Sequence, residues 1–94
     1  MRLLLRLLIS AAALTQMLDA YAFGNGAGYG LGVEIGTSST GGGYVGHSGG
    51  IPGFLTLMYY FEDSDVAVAT IVNNELGDPS VAFAALAQVA LAAP

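Results

Sequence analysis

The stretch Gly46-His47-Ser48-Gly49-Gly50-Ile51-Pro52-Gly53-Phe54 stands between two runs of strand-forming residues, Tyr44 to Ser48 on one side and Phe54 to Phe61 on the other. A further run, Val66 to Val72, follows Glu62-Asp63-Ser64-Asp65, four polar residues that suit a solvated turn. Upstream, Tyr29, Leu31, Val33 and Ile35 alternate with Gly30, Gly32, Glu34 and Gly36, which reads as a period-two strand with one nearly bare face. Thr37 to Gly43, TSSTGGG, holds only turn and loop residues, so a hairpin to Tyr44 is the economical assignment. The result is an antiparallel meander of about four strands within residues 29–73.

Three glycines on one strand face weaken the strand and mark a close approach, by another backbone or by a ligand. Simple packing is the plainer explanation. In the last run, Val66, Val68 and Val72 fall on one side and Ala67, Ala69 and Ile71 on the other, a pattern expected of a strand covered on both faces.

Both ends of the chain read as helical. Leu3, Leu4, Leu7 and Leu8, then Leu14, Met17 and Leu18 after a break near Ser10, recur at spacings of three and four, as two short amphipathic helices would within residues 1–22. A secretory signal over residues 1–22, with Ala20-Tyr21-Ala22 as its small-x-small site, is the weaker reading because Arg6 interrupts the apolar run. Compartment stays open. Asp78-Pro79 forms an N-cap and first-turn pair, and no breaker follows until Pro94, so residues 79–93 are expected to close the domain as a helix. That helix is apolar nearly all round, more than one sheet can bury. The fold class is therefore α+β, with a sheet flanked by an N-terminal helical segment and a C-terminal helix, and with two apolar faces needing more cover than 94 residues supply.

Composition removes several functions. The net charge is −5, there is no lysine, and Arg2 and Arg6 are the whole cationic complement, so no basic patch exists to neutralise nucleic-acid phosphates. Charged residues make up 10% of the chain, against about a quarter in an ordinary soluble domain, while hydrophobic residues reach 54%. Such a chain is interior-rich, and self-association through exposed apolar surface is expected of it. Without cysteine there is no disulfide framework and no thiolate metal site.

Candidate sites are few. Gly24-Asn25-Gly26-Ala27-Gly28-Tyr29-Gly30 contains no Gly-x-Gly-x-x-Gly window and leads into a strand, which argues against a phosphate loop. Glu62, Asp63 and Asp65 lack the ligand number and spacing of a calcium loop. His47 is the sole histidine, and one imidazole does not make a metal site, so neither metal nor cofactor is expected. Ser48 is its immediate neighbour, and adjacent strand residues point to opposite faces, so a local Ser-His pair is implausible.

Tyr29-Gly30-Leu31-Gly32, the Gly46 to Phe54 stretch, and Val66-Ala67-Val68 through Asn73-Asn74 together resemble the serine β-lactamase-related family. Its members include class C β-lactamases, D-alanyl-D-alanine carboxypeptidases and related esterases. The resemblance implies a partial β-lactamase/transpeptidase-like fold and places His47-Ser48-Gly49 at the family's third motif, Lys-Thr-Gly or His-x-Gly. It gives His47 a hydrogen-bonding role at a tyrosine or a substrate carboxylate, Gly50 that of backbone oxyanion donor, and Ser48 and Gly49 that of substrate contacts. The family also requires Ser-x-x-Lys and Tyr-x-Asn or a relative. The first is impossible without lysine, and none of Tyr21, Tyr29, Tyr44, Tyr59 or Tyr60 has asparagine two positions later. The implied partner is the missing N-terminal portion of the same hydrolase fold, with this chain inactive by itself. Two other readings are a noncatalytic interaction module and a small secreted apolar protein.

Overall fold

Pro52 and Gly53 turn the chain back on itself. Proline sets the first corner, and Gly53 takes the second at a φ of 90°, in the left-handed region that glycine tolerates. This turn joins β4 (Gly42–Ile51) to β5 (Phe54–Phe61), with Ile51 opposite Phe54. The computed structural model describes residues 8–39 and 41–92. Within them the remaining strands are β1 (Tyr21–Ala22), β2 (Gly28–Tyr29), β3 (Glu34–Ser38) and β6 (Val66–Val72). The helices are α1 (Ala11–Leu18) and α2 (Pro79–Ala92).

All strands belong to one antiparallel sheet in the order β1-β2-β3-β4-β5-β6, so the α+β meander is present and carries six strands. The two extra strands are two-residue ladders at its start. The period-two strand expected over residues 29–36 is instead a hairpin: Gly30 N–H donates to the Val33 carbonyl, Gly32 has a φ of 78°, and Tyr29 pairs with Glu34. Its glycines therefore serve different ends. Gly32 makes the turn, while Gly30 lies against the Met17 carbonyl, where no side chain would fit. Strand β4 runs three residues past Ser48, to Ile51, because Gly49 and Gly50 continue the ladder opposite Thr56 and Leu55.

Cross-strand partners share a sheet face. One row is Glu34, Gly46, Tyr59 and Val68, and the adjacent row is Gly36, Tyr44, Phe61 and Val66. Helix α2 packs on this face, where Phe61, Val68 and Ala87 form the core with Tyr44, Val66, Phe83, Ala90 and Leu91 around them. Phe61 is 2% exposed, and burying such a side chain stabilises by about 1.5–3 kcal/mol. Asp78 caps the helix by accepting from the Ser80 N–H at 2.9 Å.

The opposite face carries Val45, His47, Gly49 and Ile51 of β4 with Tyr60, Met58, Thr56 and Phe54 of β5. Val45 and Tyr60 are buried, whereas Ile51, Phe54, Met58 and Ile71 are exposed. Strand β6 is thus covered on one side only: Val68 and Thr70 lie under α2, and Ala67, Ala69 and Ile71 remain open. Helix α2 also leaves Val81, Leu86 and Val89 exposed, since a helix apolar all round has more than one face to cover.

At the other end, Ser10 caps α1 by accepting from the Ala13 N–H, which explains the break in the leucine pattern. Helix α1 buries none of its residues and is tied to the sheet by the Leu31 N–H donating to the Met17 carbonyl. The earlier of the two expected N-terminal helices lies mostly outside the described residues, as does Ala93 at the end of the expected closing helix. Among the described residues no helix is long and apolar enough to cross a membrane.

Candidate functional site

Strand β3 begins at Glu34, opposite Gly46, whereas β4 continues to Ile51. From His47 onward, β4 therefore has β5 on one side and no strand on the other among the described residues. Along this edge lie His47, Ser48, Gly49 and Gly50, the four residues singled out from sequence.

The side chains at the head of the edge form one hydrogen-bonded array. Tyr29 Oη lies 2.8 Å from His47 Nε2, and the rings meet edge to face at 5.6 Å between centroids. His47 Nδ1 bonds the Ser48 carbonyl oxygen and lies 3.7 Å from Glu34 Oε1. The Ser48 hydroxyl donates to Glu34 Oε1 at 2.8 Å, and the Tyr59 hydroxyl donates to Glu34 Oε2 at 2.6 Å. His47 and Ser48 do not form a nucleophile–base pair: both ring nitrogens and the serine hydroxyl are engaged elsewhere.

Gly46 is what lets Tyr59 reach Glu34 from two strands away. A Cβ at position 46 would lie 2.7 Å from Tyr59 Cδ1 and 2.8 Å from Tyr59 Cα, so the tyrosine ring occupies the space a side chain would need. Tyr44, at 4.6 Å between centroids, and Phe83 of α2, at 5.5 Å, hold that ring in place. The aromatic core under α2 is thus continuous with the polar array.

Burial pushes the Glu34 carboxyl up, but the hydrogen bonds from Tyr59 and Ser48, together with the His47 imidazole, outweigh it and hold the group below the usual carboxylate range. Tyr59 moves the other way, pushed up first by burial and then by the hydrogen bond and charge of Glu34. At neutral pH the array therefore contains one carboxylate accepting from two hydroxyls. Among the described residues, no group of three His, Asp or Glu side chains could hold a metal ion.

Farther along, Gly49 and Gly50 face Thr56 and Leu55 across the ladder, and the Thr56 hydroxyl donates to the Gly49 carbonyl at 3.4 Å. They border an open, apolar groove of about 470 Å³ whose other walls are Ile51, Phe54, Thr56 and Ile71. His47 and Ser48 thus belong to the polar array, and Gly49 and Gly50 to the groove beside it.

Tyr29, Glu34 and Tyr59 did not emerge from the sequence as site residues. The local signal for the first two was Gly30-Leu31-Gly32, which can be read as a turn and brings Tyr29 beside Glu34. Tyr59 carries no such signal, because its approach depends on register across two strands. A protein-family model described as Beta-lactamase matches residues 2–93. Among curated proteins, none matches the chain.

Proposed function

This chain belongs to the beta-lactamase family, and from that premise we propose that the free edge of β4 is one wall of a serine-hydrolase acyl-transfer site. The observation that carries the proposal is the edge itself: His47 to Ile51 projects past β3 and borders an apolar groove on the face that α2 leaves uncovered. A substrate lying along it as an added strand would meet no side chain at Gly49 or Gly50.

In this reading Gly50 N–H is an oxyanion donor, a contribution worth roughly 3 kcal/mol when removed from such sites. Gly49 and Ser48 line the substrate path, and His47 provides a hydrogen-bonding group at its head. The nucleophilic serine, its lysine base and the tyrosine that transfers protons come from a covering segment bearing Ser-x-x-Lys and Tyr-x-Asn, which would lie on the exposed face. The serine gives its proton to the lysine and attacks an amide, β-lactam or ester carbonyl; the C–N or C–O bond breaks as that proton reaches the leaving atom, which departs from an amide or ester and stays tethered in an opened β-lactam, and water then hydrolyses the acyl-serine bond. The substrate belongs to one of those three acyl classes, among which are the carboxyl-terminal peptides of carboxypeptidases of this family.

The test combines the 94-residue chain with a segment of the family that supplies both motifs. A fluorescent penicillin should label the segment's serine in the combination and nothing in the chain alone. Labelling of a serine in the isolated chain, or equal labelling of the segment with and without the chain, would overturn the proposal.

The exposed Ile51, Phe54, Met58 and Ile71 also support a second reading, a noncatalytic module that binds another chain through this face. A stable partner lacking Ser-x-x-Lys, recovered in stoichiometric complex, would favour it.

A further inference from the structure

We infer that Tyr29 is the positioning residue for His47, and that it holds the neutral imidazole as the Nδ1–H tautomer by donating its phenol O–H to an unprotonated Nε2. The inference deepens the acyl-transfer reading, because it says which group of the pair an incoming substrate meets.

The argument is one of proton accounting. A backbone carbonyl carries no proton, so the bond between His47 Nδ1 and the Ser48 carbonyl requires the hydrogen on Nδ1. A neutral imidazole has one N–H, so Nε2 is then a bare acceptor. The group 2.8 Å from Nε2 is Tyr29 Oη, and its hydroxyl must donate. Glu34 Oε1, 3.7 Å from Nδ1, lies on the side of the ring that carries the hydrogen, which favours the same tautomer.

The positions of both residues come from the backbone. The Gly30–Val33 turn sets Tyr29 beside Glu34, and Glu34 pairs with Gly46, the residue before His47. The edge-to-face contact between the rings, at an interplanar angle of 86°, keeps the phenol oxygen in line with the imidazole edge. With Nε2 occupied, His47 offers no N–H outward. Both residues are exposed, and the polar atom of the pair left with a lone pair is the Tyr29 oxygen, through which His47 presents an acceptor that fits a substrate N–H or O–H.

Because His47 is the sole histidine, ¹⁵N-histidine labelling of the full chain gives the signals of one ring. Magic-angle-spinning NMR needs no solubility, and the two ring nitrogens read separately tell each neutral tautomer from the doubly protonated ring. The expected spectrum has the one-bond N–H correlation at Nδ1, with Nε2 unprotonated and near a tyrosine hydroxyl proton. A proton on Nε2 in the wild-type chain overturns the inference outright. Tyr29→Phe should let the Nε2–H form appear, while Tyr21→Phe, at the neighbouring strand position, should leave the spectrum unchanged. If Tyr29→Phe keeps the pure Nδ1–H form, the Ser48 carbonyl alone sets the tautomer and Tyr29 has no positioning role. These readings need no nucleophile, so they can fail while penicillin labelling of the assembled site succeeds, or the reverse.

Discussion

Tyr59 donates a 2.6 Å hydrogen bond to Glu34 across Gly46, joining β5 to β3 over the strand between them. The bond has a pH signature. Glu34 is held below the usual carboxylate range in the folded chain, so the unfolded chain binds the extra proton first as pH falls. Its contribution to stability is present above the ordinary carboxylate range and is lost as pH drops through the folded value. Denaturant midpoints measured from pH 7 to pH 3 should fall more steeply for wild type than for Glu34→Gln.

Tyr59 supplies the alkaline counterpart. Its phenol is raised in the fold, so the stability it lends is complete below the ordinary tyrosine range and fades as pH climbs through the raised value. Ultraviolet titration of wild type should contain a late-ionising phenol, and Tyr59→Phe should reduce that late absorbance by one phenol. Loss of a different step would contradict the assignment.

Gly46→Ala should damage both fold and array. The added methyl would strike the Tyr59 ring and the Met58 carbonyl, and overpacking of this kind costs about 1–3 kcal/mol. Chemical denaturation measures the loss, and a late absorbance reduced by one phenol would show that Tyr59 has left Glu34. An unchanged titration would mean that the ring moves aside without losing its partner.

Phe61→Ala removes the most deeply buried side chain of the core. Truncation of a core phenylalanine costs about 3–5 kcal/mol, a large share of what a chain this small has in reserve. Circular dichroism should show loss of cooperative unfolding. A variant as stable as wild type would place the core elsewhere.

The uncovered face predicts how the isolated chain behaves in solution. Ile71 is 71% exposed and Met58 is 52% exposed, and a bare apolar sheet face associates. Replacing them as Ile71→Thr and Met58→Gln should lower the sedimentation-average mass while leaving the denaturation midpoint nearly unchanged. Association that persists undiminished would point to the exposed side of α2 instead.

The strands β5 and β6 and the helix α2 were legible in the sequence because each is a local pattern bounded by turn residues, and the same holds for the general course of β4. The Tyr29 to Ile35 alternation misled because a hairpin with Gly32 at its turn has the same spacing of large and small residues as one straight strand. His47 stood out through its place in a motif. Glu34 and Tyr59 did not, since their meeting depends on strand register and on an empty position at Gly46 that carries no meaning until its neighbours are known. The one-sided cover of β6 was hidden for a related reason: apolar residues on both faces show what a strand can bury, and not whether anything lies over it.

Every strand in the sheet is hydrogen-bonded to the one before it or after it in the chain. Contacts are therefore short in sequence, and little loop-closure entropy is lost before each new ladder repays it. The sheet can zip up hairpin by hairpin, each in roughly 1–10 μs, without waiting for a distant segment to find its place. The edge at His47 is therefore built wholly from neighbouring hairpins, and it can form at the pace of the sheet itself.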